Sequence, residues 1–120
     1  MKSILAGAML GICGLSSVVL ADPWRAKAAL EPGAPAACRQ ADVSKLVFDF
    51  TETGTELSGK TTGGHDFRAP VAADGSVSTT IMVPVGAKEF VVDLVGNARS
   101  RELQVFNKEY SCRFNLSPIQ

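Results

Sequence analysis

The chain has 120 residues, with 12 Lys and Arg, 12 Asp and Glu, three cysteines and one histidine. This length suits one small domain, and balanced charge without a Lys/Arg run argues against nucleic-acid or anionic-membrane partners, which need clustered cations. A single histidine also excludes a blue-copper site, which takes two.

Residues 1–21 have the pattern of a signal peptide. Lys2 is followed by a long apolar stretch without charge, and small residues precede a cleavage point after Ala21. Two alternatives stay open. The first is an uncleaved membrane anchor, which three glycines and two serines in the apolar stretch make unfavourable. The second is lipidation at Cys13, although a small residue is preferred before the modified cysteine and Ile12 stands there.

Cysteine usage agrees with export. Cleavage after Ala21 removes Cys13 and leaves Cys38 and Cys112, an even pair that predicts one disulfide in an oxidising compartment. Closing a loop of about 75 residues would stabilise the fold by about 4 kcal/mol in the chain-entropy model. The alternative is that both cysteines remain as free, buried thiols.

Loss of Lys2 with the signal peptide would leave the mature chain with one excess negative charge.

An Ala- and Pro-rich segment, 22–43, comes next and contains the only tryptophan, Trp24. We predict an extended or partly disordered N-terminal arm, tied down at Cys38. A short helix over 24–31, stopped by Pro32, is the alternative.

From Ser44 onward the apolar residues alternate with a period of two, which is typical of strands. Pro70 places its segment at a sheet edge or in a bent loop, and Asp74-Gly75 is a strong turn signal. We predict about seven strands, at 44–50, 55–60, 65–71, 76–83, 88–95, 100–106 and 109–116, with turns at 74–75, 84–87, 96–97 and 107–108.

The inward faces of these strands carry large apolar residues that a single exposed layer could not bury. Residues 44–120 are therefore expected to form an all-β, antiparallel β-sandwich of two facing sheets. Cys112 falls on the inward face of the last strand, so the disulfide is expected to join the first strand to the last.

Residues 71–106 contain a turn at Asp74, Gly75 and Ser76, then Gly86, a Val-rich run at 91–95, and Gly96 and Asn97. With these motifs the segment resembles the second half of bacterial immunoglobulin-like (Ig-like) modules. The resemblance implies an Ig-like β-sandwich and a non-enzymatic role. It covers about half of the mature chain, and those modules usually occur in tandem and often without a disulfide.

No catalytic or metal-binding pattern stands out. His65 has no companion at metal-ligand or general-base spacing, and is expected to be a solvated loop residue. Asp49, Glu52 and Glu56 could gather into a calcium site, but their spacing fits no known loop, so a solvated strand face is preferred. We predict no enzyme activity, no cofactor and no metal.

Val91 and Phe106 are apolar residues on faces that otherwise carry Glu and Asp. Together with Trp24 they are the partner-binding candidates, unless the N-terminal arm covers them. The expected function is that of an exported binding or assembly component, acting on a protein partner in the periplasm or at the cell surface. No nucleic acid and no stable membrane insertion after cleavage are expected. The alternative is a small metal- or carbohydrate-binding periplasmic protein.

Overall fold

The computed structural model describes residues 22–119, and the signal peptide expected at 1–21, including its cleavage point and Cys13, lies outside the described residues. The fold is all-β, with one short 3-10 helix, Ala36–Ala41. The strands are β1 Asp22–Leu30, β2 Val47–Glu52, β3 Glu56–Thr61, β4 Asp66–Pro70, β5 Ser76–Val85, β6 Lys88–Asn97, β7 Glu102–Asn107 and β8 Cys112–Ile119.

The eight strands form one antiparallel sheet in the order β4-β3-β2-β1-β8-β7-β6-β5. Strands β1 to β4 follow one another as hairpins, and so do β5 to β8. The two halves are joined where β1 pairs with β8, from Arg25 opposite Ile119 to Leu30 opposite Phe114. This arrangement leaves β4 and β5 as the edges of the sheet.

Strand β1 corrects the prediction of an N-terminal arm. Residues 22–30 are a central strand, bonded to β2 on one side and β8 on the other. Trp24, Ala26 and Ala28 are buried, and they alternate with the exposed Arg25 and Lys27. The alternation is visible in the sequence, but alanine is depleted in strands and gives a weak signal. The strand count is accordingly eight rather than about seven.

The sheet folds over a shared interior. Buried side chains from all eight strands, including Phe48, Phe114 and Leu94, belong to one continuous cluster. The two edges approach each other where His65 in the β3–β4 turn contacts the β5–β6 hairpin, with His65 Nε2 2.9 Å from Glu89 Oε2. The sandwich-like all-β prediction is confirmed, although one curled sheet replaces the two expected.

The disulfide between Cys38 and Cys112 is confirmed, with a Cα–Cα distance of 5.7 Å. Cys38 lies in the 3-10 helix between β1 and β2, and Cys112 is the first residue of β8. The bridge therefore ties the β1–β2 connection, rather than the first strand itself, to the last strand. Within residues 22–119 no helix has the length and apolar character needed to cross a bilayer.

The β5–β6 hairpin is tighter than predicted. Pro84 and Val85 belong to β5, so Gly86 and Ala87 alone make the turn. Gly86 has a φ of 62°, a left-handed value that glycine adopts readily. The shorter turn fixes the register of the whole hairpin, as a two-residue loop generally does.

Candidate functional site: an apolar pair on the outer face of the β5–β6 hairpin

Two large apolar side chains are exposed on the described part of the chain, and they lie side by side. Met82 is 45% exposed and Val91 is 61% exposed. Their Cα atoms are direct cross-strand partners in the β5–β6 ladder. We call these two residues the Met82–Val91 pair.

The alternation of the two strands places this pair outward. On either side of Met82, the side chains of Ile81 and Val83 are buried, and Phe90 and Val92 flank Val91 in the same way. Neighbouring residues of a strand point to opposite faces, so Met82 and Val91 face solvent. The core does not require apolar side chains at these two positions.

Polar groups at one end of the Met82–Val91 pair hold one another in place. The Thr80 hydroxyl donates to Asp93 Oδ1 at 3.2 Å, and Lys108 Nζ lies 3.7 Å from Asp93 Oδ2. Thr80 and Asp93 are two residues from the pair on the same outer face. An apolar centre beside an ordered polar rim is the usual anatomy of a protein interface.

Phe106 extends this surface by one strand. It is the cross-strand neighbour of Asp93 and is half-buried. The Arg113 guanidinium covers its ring at 4.7 Å from the centroid, and Arg113 also donates to Gln104 Oε1 at 3.0 Å. Phe106 therefore lies beside Asp93, on the polar side of the apolar pair, and the Arg113 guanidinium covers its ring.

Trp24, the third sequence candidate, is not on this surface. Its side chain is buried, its ring centroid lies 4.7 Å from that of Phe50, and the Arg101 guanidinium sits 5.2 Å above it. Trp24 faces the interior because it belongs to the inward face of β1. The exposed surface expected of Trp24 from the sequence is therefore absent, because the residue is only 6% exposed.

Met82 was missed because of the register of the hairpin. A four-residue turn at 84–87 would place Met82 opposite Glu89, whereas the two-residue turn places it opposite Val91. The alternation alone already assigns Met82 to the outer face, away from Ile81 and Val83. A correct turn length would therefore have revealed the pair from the sequence.

The two sheet edges differ in their protection. Edge strand β4 carries Asp66 and Arg68 and ends at Pro70, features that discourage pairing with another strand. Edge strand β5 has no charged residue from Ser76 to Val85, although Pro84 interrupts its donors near one end. The less protected edge is therefore the strand that carries Met82.

The polar residues singled out in the sequence form separate contacts. His65 Nε2 lies 2.9 Å from Glu89 Oε2, and the imidazole is largely exposed. Asp49 lies 3.2 Å from Arg25 Nε on one strand pair, whereas Glu56 lies 4.0 Å from an Arg side chain of β4. In the part of the chain that the structure covers, no three His, Cys, Asp or Glu side chains gather in a way that could hold a metal ion.

Comparison with known proteins gives no relative: no family model, curated protein or solved structure matches this chain.

Proposed function

We propose that the chain is an exported, non-enzymatic binding or assembly component that recognises another protein in the periplasm or at the cell surface. The observation that carries this proposal is the Met82–Val91 pair. The two exposed large apolar side chains of residues 22–119 are adjacent, and they lie beside an uncharged sheet edge. Isolated exposed apolar residues are common, but an adjacent pair at an edge favours docking.

Recognition would combine two kinds of contact. Covering Met82 and Val91 with an apolar partner surface would contribute about 1 kcal/mol for each side chain, because each is only about half exposed in the free chain. The free main-chain groups of β5 could accept a strand from the partner, which adds hydrogen bonds along the same edge. The N-terminal segment takes no part, because β1 is held in the centre of the sheet.

Export is supported by the disulfide, because such bridges persist in oxidising compartments. We also propose that residues 71–106, and not the rest of the chain, are related to Ig-like modules. The matching Asp74–Gly75 turn and Gly86 lie at the two ends of β5, in the hairpin that carries the apolar pair. The successive hairpins of the sheet differ from the Greek-key connections of immunoglobulin domains, so the resemblance is not extended to the whole domain.

Site-specific crosslinking followed by a binding measurement tests this function. A photoreactive residue is placed at position 91 of the full-length chain, in its native envelope, and the captured protein is identified and purified. Val91→Lys should then weaken its affinity at least tenfold, because a lysine puts a charge in the apolar contact. Val47→Lys is the matched control, since Val47 is an outward residue of β2 in the other half of the sheet.

The proposal would be abandoned if position 91 captured no protein while position 47 captured one other than a second copy of this chain. It would equally fail if Val91→Lys and Val47→Lys changed the affinity by the same factor.

A further inference from the structure

Charges of opposite sign follow one another across the outer face of β1 to β4. The strand register places Arg25 opposite Asp49, Asp49 opposite Lys60, and Lys60 opposite Asp66. All four side chains are exposed. Read across the strands, this row has the signs plus, minus, plus, minus, and we call it the charge row.

The charge row is only partly neutralised within the chain. Arg25 Nε lies 3.2 Å from Asp49 Oδ1, but both side chains remain more than half exposed, at 56% and 52%. Among residues 22–119, Lys60 and Asp66 have no ion-pair partner within 4.0 Å. A shallow groove of about 520 Å³ runs over Asp49, Lys60 and Asp66, and gives side chains of an opposing surface room to enter.

An alternating row with an even number of charges is complementary to itself. A two-fold axis parallel to the strands brings a second copy face to face with the first and reverses the order of its row. Arg25 then faces Asp66 of the second copy and Asp49 faces Lys60 of the second copy, and each contact occurs twice. Every cation of the charge row meets an anion of the second copy, and each contact is reciprocal, as in a symmetric dimer interface.

We propose that two copies of the chain associate through the outer face of β1 to β4, with the charge row setting their register. This goes beyond the proposed function, because it uses the opposite half of the sheet and leaves both Met82–Val91 pairs uncovered. A dimer would then present two docking surfaces, and a partner with repeated sites would be held more strongly by both together.

The size of the face predicts a weak association. Four strands at about 4.8 Å spacing and about 20 Å length cover roughly 400 Å² per copy. The total of roughly 800 Å² is below the 1,000 Å² or so of a stable interface. Exposed ion pairs contribute little each and are screened by salt, so association should be visible only at high protein concentration and low ionic strength.

Sedimentation equilibrium of the mature chain tests the proposal. The wild type should form dimers as its concentration approaches about 1 mM, and raising the salt from about 20 to about 500 mM should weaken dimerisation at least tenfold. Lys60→Asp should also weaken it at least tenfold, because position 60 of each copy faces Asp49 of the other.

The exchange of both charges, Asp49→Lys with Lys60→Asp, should restore dimerisation to within about threefold of wild type. Its signs, plus, plus, minus, minus, remain complementary after reversal. Lys45→Asp is the matched control: it makes the same change in net charge outside the strands, at an exposed residue before β2, and should leave the association unchanged.

The proposal is overturned if the wild type stays monomeric at the highest concentration and lowest salt. It is also overturned if the double variant with exchanged charges dimerises as weakly as Lys60→Asp. Should the exchanged chain fail to fold, amide NMR shifts of the wild type at low and high concentration decide. They must change on β1 to β4. Changes confined to the β5–β6 hairpin would overturn the proposal, while the proposed function would still rest on its own crosslinking test.

Discussion

Arg101 covers the one tryptophan of the chain. Its guanidinium lies 5.2 Å from the centre of the Trp24 ring, and Nη2 lies 2.6 Å from Asp22 Oδ2. Arg101→Ala removes both contacts, so we expect the free energy of unfolding to fall by about 1 kcal/mol. Emission of Trp24 should shift to the red as water reaches the indole. In the control Arg113→Ala, a similar cation leaves Phe106, and the emission should stay unchanged. A shift in both variants, or in neither, would contradict this role.

Asp74 is held ionised by the turn that precedes β5. The Ser76 hydroxyl donates to Asp74 Oδ1 at 2.7 Å and the Ser76 amide donates to it at 2.9 Å, and these bonds lower the pKa of Asp74 from its ordinary value. A carboxyl whose folded-state pKa is depressed stabilises the fold above its unfolded-state pKa, and this contribution is lost as the pH falls through the folded-state pKa. An NMR titration should show the low pKa in the wild type and a rise towards the ordinary value in Ser76→Ala. An unchanged pKa in that variant would show that the hydroxyl bond is not the main cause.

Strand β1 connects the two halves of the sheet, because its main chain is hydrogen-bonded to β2 in one half and to β8 in the other. Ala26 is fully buried between β2 and β8, whereas Ala29 is exposed on the same strand. Ala26→Asp should lower the free energy of unfolding by more than about 3 kcal/mol, because it buries an unpaired charge. Ala29→Asp should cost less than about 1 kcal/mol, the range of strand propensities. Urea denaturation measures both, and equal losses would argue against a central β1.

Most strands could be predicted from the sequence, because large inward residues such as Phe48, Phe50 and Phe90 make a period of two conspicuous. Strand β1 could not be predicted, because most of its inward residues are alanines, which are depleted in strands and also occur in helices and loops. The exposed pair could be predicted only in part: alternation places both Met82 and Val91 outward, but their adjacency depends on the length of the turn, and Pro84 made that turn look longer than it is. Closure of the sheet between β1 and β8 involves residues far apart in the chain, and no local pattern encodes it.

At the scale of the whole molecule, one covalent bond constrains most of the chain. The Cys38–Cys112 bridge joins residues separated by 74 positions. A Cys38→Ser, Cys112→Ser double variant should lose about 4 kcal/mol of unfolding free energy, because its unfolded state is no longer restricted. Guanidinium denaturation of the purified protein checks this value, and the wild type under strong reductant should behave like the double variant. A loss below about 1 kcal/mol would show that the loop-entropy account fails here.

The pairing of the first strand with the last also dictates when the protein can fold. Hairpins such as β2–β3 need only local partners, but the ladder between Arg25 and Ile119 needs both ends of the domain. A newly made chain therefore cannot close its sheet until strand β8 has been synthesised. Contacts of such long sequence separation form slowly, so Trp24 and the inward face of β2 stay accessible to chaperones and proteases until β1 and β8 have paired.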